Sequence, residues 1–267
     1  MYEVSGLVRD LSVGYYPAQV LVIILLSTAG LLYSKAGGLK NEWAYLYAFP
    51  VGLAFYSVSG YLLLCLGIPF NTVSITVIMT VTAVLSVYIC KKNSLVDINI
   101  ERRSLLVFFL LITAGAMLFS ANILSVLVDN DTFYYFSTFP EAIVHEGRYI
   151  KYFDTFLTDS APIGSIIYTL PYLYGFSETF GIQYMLDLNF IVIFAYSLKN
   201  ALSGSYSARG AWIIGITASV FMLTSSAYLT TAKWVMAGVY FMSYYFITMI
   251  LAYESAKVEK KPYVVLM

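Results

Sequence analysis

The chain has 267 residues, of which 60% are hydrophobic and 11% charged, whereas a soluble domain carries about a quarter charged residues. Its 15 basic and 15 acidic residues leave no net charge, and no basic run is long enough to grip a polyanion, so nucleic acid is not an expected partner. Cys65 and Cys90 show neither a CxxC nor a Cys/His spacing, which argues against a disulfide framework or a structural zinc site.

Apolar runs of about 20 residues recur from end to end, long enough to cross a hydrocarbon core as helices. Stretches such as Val20 to Leu26 and Leu105 to Ile112 do not alternate polar with apolar, so barrel strands are not expected. The fold class predicted is all-α, a polytopic transmembrane helical bundle of about seven spans. Before the first run stand Glu3, Arg9 and Asp10, without a basic n-region or a small-residue cleavage site, so the first span is expected to serve as the insertion signal.

Spans are predicted at roughly 18 to 33, 44 to 67, 71 to 90, 104 to 127, 182 to 198, 211 to 230 and 234 to 253. The loops with Lys35 and Lys40, with Lys91, Lys92, Arg102 and Arg103, with Lys199 and Arg209, and with Lys257, Lys260 and Lys261 hold 11 of the 15 basic residues. Putting these loops in the cytoplasm satisfies the positive-inside rule with every span used. The N-terminus and residues 128–164 are then outside, in a multi-pass protein of the plasma (inner) membrane. The polar linker from Lys91 to Ser104 divides a three-span module, 1–103, from a second bundle, 104–267. After Lys261 the run Val264-Val265-Leu266-Met267 reads as an eighth span cut short, so truncation at the C-terminus is expected; a short hydrophobic tail resting at the interface would look the same.

Segment 128–164 is the long polar one, and it holds Asp129, Asp131, Glu141, Glu146, Asp154 and Asp159, six of the 15 acidic residues. Long loops in compact proteins are usually functional. Phe133, Phe136, Ile143 and Val144 recur at roughly helical spacing with polar residues between, as in a helix lying on a surface. Thr138 with Glu141 three residues on reads as a capping box, Pro140 falls in the first turn, and Gly147 is the stop. Residues Pro162 to Phe176, broken by Pro171 and closed by Gly175, are predicted as an interfacial or re-entrant helix, because a further crossing would move Lys199 and Arg209 outside.

The cluster Asp129-Asn130-Asp131-Thr132-Phe133-Tyr134-Tyr135 begins where a crossing reaches the outer surface. A carboxylate there can take a proton from an incoming hydroxyl or amide, or hold a divalent metal against a phosphate. From spacing alone the other reading is that Asp131 caps the following helix and Asp129 marks the span's end. Glu141 has a capping role beside a binding one, and His145, the single histidine, reads either as a base or as a surface residue. Asp187 falls within a crossing, where an ionisable group is costly and suggests function unless Asn189 or a Tyr satisfies it. Arg148, Lys151 and Lys233 are the cations available on the outer side, as phosphate clamps or as interface anchors. Tyr134 and Tyr135 can stack on a sugar ring or anchor at headgroup level.

The order of these parts resembles that of the integral-membrane glycosyltransferases of the GT-C superfamily, which includes oligosaccharyltransferases, protein mannosyltransferases and aminoarabinose transferases. The parts are the outward crossing, Asp129 to Tyr135, Glu141-Ala142-Ile143-Val144-His145-Glu146-Gly147, the proline-broken helix and a crossing ending in basic residues. The likeness covers about residues 104 to 253. It implies an essential acidic residue, Asp129 or Asp131, and a polyprenyl-phosphate or polyprenyl-diphosphate sugar donor. Alongside that acid, the candidate substrate-binding residues are Glu141, His145, Arg148, Lys151, Tyr134, Tyr135, Asp187 and Lys233, of which the cations would meet the donor's phosphate. Where the chemistry is metal-dependent, Asp129 and Asp131 would hold Mg or Mn. The implied partners are the polyprenyl-linked donor, membrane lipid and a glycan or protein acceptor. The chain departs from the pattern in having three spans before the crossing that leads into the acidic loop, and fewer spans in total. A transporter or flippase of a lipid-linked or small substrate, and a non-catalytic membrane subunit of a larger assembly, are the rival readings.

Overall fold

The computed structural model describes residues 15–36, 39, 41–92, 102–122, 139–148, 166–174, 180–224, 244–250, 252 and 253, and among them every regular element is a helix. In chain order these are α1 (Tyr15–Ala36), α2 (Asn41–Leu46), α3 (Ala48–Cys65), α4 (Thr72–Lys92), α5 (Arg102–Asn122), α6 (Phe139–Glu146), α7 (Thr169–Leu173), α8 (Phe180–Leu202) and α9 (Ala208–Thr224), with a further helical stretch at 244–250. The seven spans remain a reading of the sequence. By length and composition, two stretches of the described residues suffice to cross a membrane, Ala48–Cys65 and Met185–Leu202, and shorter apolar stretches lie at Val22–Lys35, Thr72–Leu85, Leu106–Gly115 and Ala208–Met222.

The predicted span 44 to 67 is interrupted at Tyr47, between α2 and α3. Pro50 accounts for it: proline has no N–H to give to the carbonyl four residues back, that of Leu46, and its ring crowds the same group. Pro171 repeats the arrangement at the start of α7, with the turn at Tyr168. α3 closes in a Schellman motif: Gly67 takes φ 66°, Ile68 N–H donates to Leu63 O at 2.9 Å and Gly67 N–H to Leu64 O at 3.2 Å. Pro69 follows, and Asn71 Oδ1 accepts from Ser74 N–H at 2.9 Å, capping α4. These devices turn the chain back within a few residues and set α3 and α4 antiparallel.

The closest packing in the bundle is between α1 and α3. A Cβ on Gly30 would lie 1.8 Å from Ala48 O, and one on Gly52 would lie 2.1 Å from Leu26 O. Backbone meets backbone here because Ala48 and Gly52 stand one turn apart on α3 and face Gly30, the small-xxx-small arrangement by which helices approach when apolar burial alone does not drive them together. A continuous core then runs through both halves of the chain, with Leu26, Leu53, Tyr56, Phe70, Ile112, Ile143, Ile166 and Leu186 all buried in it.

Contacts fix which helix ends share a side. At one end lie Lys35 at the close of α1, α2, the first turns of α5, the close of α8 and the start of α9. Tyr45 packs on Phe108 at 5.8 Å and Trp43 on Tyr196 at 4.9 Å, while Lys199 sits over the rings of Tyr196 at 5.3 Å and Trp212 at 5.8 Å. The α3–α4 turn lies at the other end. Every charged side chain of the long helices sits at a helix terminus, Asp187 excepted.

Gly30→Ala meets backbone, whereas Gly115→Ala meets the flexible Met185 side chain, whose Sδ lies 1.9 Å from the added Cβ. Thermal unfolding of the purified chain is expected to show Gly30→Ala destabilised by about 3 kcal/mol and Gly115→Ala by about 1 kcal/mol; equal losses would mean that the α1–α3 approach is not tight.

Candidate functional site

The candidate site is built at the end of the bundle that holds the α3–α4 turn. α6 has Pro140 and Glu141 in its first turn and Gly147 beyond its last, as predicted, while Phe133, Phe136 and the expected cap Thr138 lie outside the described residues. Gly147 takes φ 67°, which ends the helix as an L side chain would not readily do. Ile143 is fully buried and Val144 packs against the core, while Glu141, His145 and Glu146 face outward. One apolar stripe thus seats an otherwise polar helix on the bundle. Its exit is latched by Phe70 N–H, which donates to Gly147 O at 2.6 Å.

α7 is seated alongside. Residues 166–171 and Leu173 are buried, so this segment packs into the bundle; Pro162 to Ser165, Gly175 and Phe176 of the predicted helix lie outside the described residues. Tyr56 OH and Thr169 Oγ1 are 2.6 Å apart, Thr169 Oγ1 donates to Ile166 O at 2.6 Å, and Thr72 Oγ1 donates to Leu173 O at 2.7 Å. Carbonyls at the ends of a short helix lack intrahelical partners and are costly in an apolar setting, and hydroxyls from α4 and from α7 itself meet two of them, at Leu173 and Ile166.

The structure brings three of the predicted site residues onto or beside this one helix. Glu141 and His145 project from α6, and Arg148 follows its stop. Glu146 lies between His145 and Arg148, 4.0 Å from His145 Nδ1 and 3.9 Å from the Arg148 guanidinium. With the His145 and Arg148 side chains 85% and 76% exposed, these pairs contribute little to stability. They form an exposed, mixed-charge surface suited to meeting a polar group and, by themselves, enclose nothing. Asp129, Asp131, Tyr134, Tyr135, Lys151 and Lys233 lie outside the described residues. Among the described residues no group of three or more His, Cys, Asp or Glu has the grouping to hold a metal ion.

Asp187 stands apart, seven residues into α8 and so about 10 Å along its axis. It is 5% exposed, and neither carboxyl oxygen has a hydrogen-bond partner among the described residues. The partner considered for it in the sequence is engaged elsewhere: Asn189 Nδ2 donates to Met185 O at 2.8 Å, within its own helix. A buried carboxyl without a partner costs stability in either protonation state.

Sequence reasoning missed Tyr56, Thr72, Thr169 and the Phe70 amide, which position α6 and α7. It also missed the opposite end's cluster, in which Tyr196 OH donates to Glu42 beside Lys199 and Trp212. All of these are partnerships between remote segments, and only the abundance of tyrosine hinted at them. Comparison with protein-family models, with curated proteins and with solved structures gives no match.

If the orphan carboxyl is kept for function, removing it should relieve strain. Asp187→Asn is expected to raise stability by about 1 to 3 kcal/mol in thermal unfolding. A loss of stability would reveal an interaction that Asp187 makes and that supports the fold.

Proposed function

We propose that this chain is a multi-pass membrane glycosyltransferase of the GT-C kind, moving a sugar from a polyprenyl-phosphate or polyprenyl-diphosphate donor to an acceptor on the extracytoplasmic face. The observation that carries the reading is the polarity of the bundle. Lys35, Lys199 and Arg209 gather at one end, while α6, the α3–α4 turn and the proline-broken α7 gather at the other. Such an arrangement is what a positive-inside bundle with an outward acidic loop requires.

Two further features support a lipid surround. The outward stripes of three helices are apolar: Val73, Val77, Val81 and Val84 on α4, Leu106 and Leu110 on α5, and Ile213, Ile216, Val220 and Phe221 on α9 are all about half exposed or more. In water they would make an apolar surface far larger than monomeric soluble proteins tolerate. The hydroxyls of Thr28, Thr82, Thr113, Ser197 and Ser219 each donate to the carbonyl four residues back on their own helix, which lets a polar side chain sit among apolar neighbours.

In this reading Asp129 or Asp131 serves as the base or metal ligand, at the head of the loop that α6 anchors. Glu141, His145 and Arg148 meet the donor's phosphate or the acceptor, with Tyr134, Tyr135, Lys151 and Lys233 completing the surface. A divalent cation, where needed, would neutralise the phosphate during transfer. One observation favours a transporter instead: Asp187, a buried carboxyl without a partner inside a helix long and apolar enough to span.

Sugar transfer from a panel of polyprenyl-phosphate donors, assayed in membranes carrying matched amounts of each variant, decides between them. Asp129→Asn or Asp131→Asn is expected to lower transfer by about 10²-fold or more, while Asp187→Asn leaves the chemical step in place. Transfer indifferent to both substitutions would contradict the reading, and substrate uptake lost only in Asp187→Asn would establish the transporter.

A further inference from the structure

A cavity of about 220 Å³ opens between α1, α3, α4 and α7. Leu25, Ala29 and Leu32 form one wall, Met79 and Ala83 the other, and the fully buried Tyr56 lies at its inner end. Leu25 and Val84, 51% and 60% exposed, stand at the mouth. No charged residue lines it. The buried hydroxyl at its inner end, that of Tyr56, is bonded to Thr169; Thr28 is exposed on α1 and donates to Ile24 O, Thr76 and Thr80 are exposed on α4, and Tyr174 is half-buried.

We infer that this cavity binds one hydrocarbon chain of a membrane phospholipid, as a resident lipid of the bundle. An uncharged lining whose deep polar groups are satisfied offers nothing to a headgroup, a sugar or a phosphate, and such cavities stay dry. The volume exceeds the roughly 150 Å³ that suffices for a benzene-sized apolar guest. The mouth continues the apolar outer stripe of α4, Val73, Val77 and Val81, so what reaches it is bilayer hydrocarbon. Recognition is of the chain alone, and by mass action bilayer phospholipids occupy such a site ahead of scarcer lipid-linked sugars. The inference rests on the membrane part of the proposed function and is independent of the sugar chemistry.

The test is photo-crosslinking in nanodiscs of a phospholipid carrying a diazirine along one acyl chain, with labelled peptides mapped by mass spectrometry. A diazirine-bearing prenyl phosphate is run in parallel. Wild type is expected to label chiefly within 22–32 and 76–84. The filling variant Ala83→Phe should lower that labelling by about tenfold, the equivalent of roughly two methylenes of lost burial, while Val77→Phe on the outer stripe leaves it unchanged. Ala29→Phe, on the opposite wall, should repeat the loss, so the result does not hang on one variant's folding. Labelling spread evenly over the outer stripes would overturn the inference while leaving the membrane reading intact. Preference for the prenyl probe would overturn it in favour of a substrate groove, and no labelling of any helix would overturn both it and the membrane reading.

Discussion

The approach of α1 to α3 at Gly30, Ala48 and Gly52 is the constraint on which the rest of the architecture depends. With a Cβ at Gly30 placed 1.8 Å from a carbonyl oxygen, no side chain fits and the two helices meet through their backbones. That contact sets the separation of the first helix pair. The Gly67–Asn71 turn then returns α4 antiparallel to α3 and leaves a gap between α1 and α4 where side chains do not fill the space. Both the bundle's order and its cavity follow from small residues at a few positions.

The same frame explains how a polar helix and a broken helix are held at one end. α6 contributes a single apolar stripe, and α7 has a proline that removes a helix bond. Neither is stable alone, since a short helix gains too few bonds to offset its nucleation. Phe70, Tyr56 and Thr72, all on or beside the α3–α4 turn side of the bundle, supply the missing contacts. Within the acidic segment α6 is thereby held against the bundle, and α7, which follows the segment, is a buried anchor.

Much of this was legible in the sequence because it is local. Pro140, Ile143 and Gly147 carry α6 within eight residues of one another, and the long apolar runs carry α1, α4, α5 and α8. Pro50 was legible too, but the apolar run around it hid its consequence, and span 44 to 67 divides at Tyr47. The α1–α3 contact, the Phe70–Gly147 latch and the Glu42–Tyr196 pair were not legible, since each joins segments whose pairing only the folded chain reveals. Asp187 shows the same limit: its place inside a long apolar run was legible and it lies in α8, but Asn189 turns to the Met185 carbonyl and leaves the carboxyl without a partner among the described residues. The site's proposed acids, Asp129 and Asp131, rest on sequence and resemblance and lie outside the described residues.

Labelling of single cysteines in intact cells tests that frame most directly. In a Cys65→Ser, Cys90→Ser background, a membrane-impermeant maleimide should modify Pro69→Cys and Arg148→Cys from outside. Ser203→Cys, in the exposed α8–α9 turn, should react only after permeabilisation. Equal external labelling of positions 69 and 203, or the reverse order, would contradict a bundle that crosses the membrane with its α6 end outward.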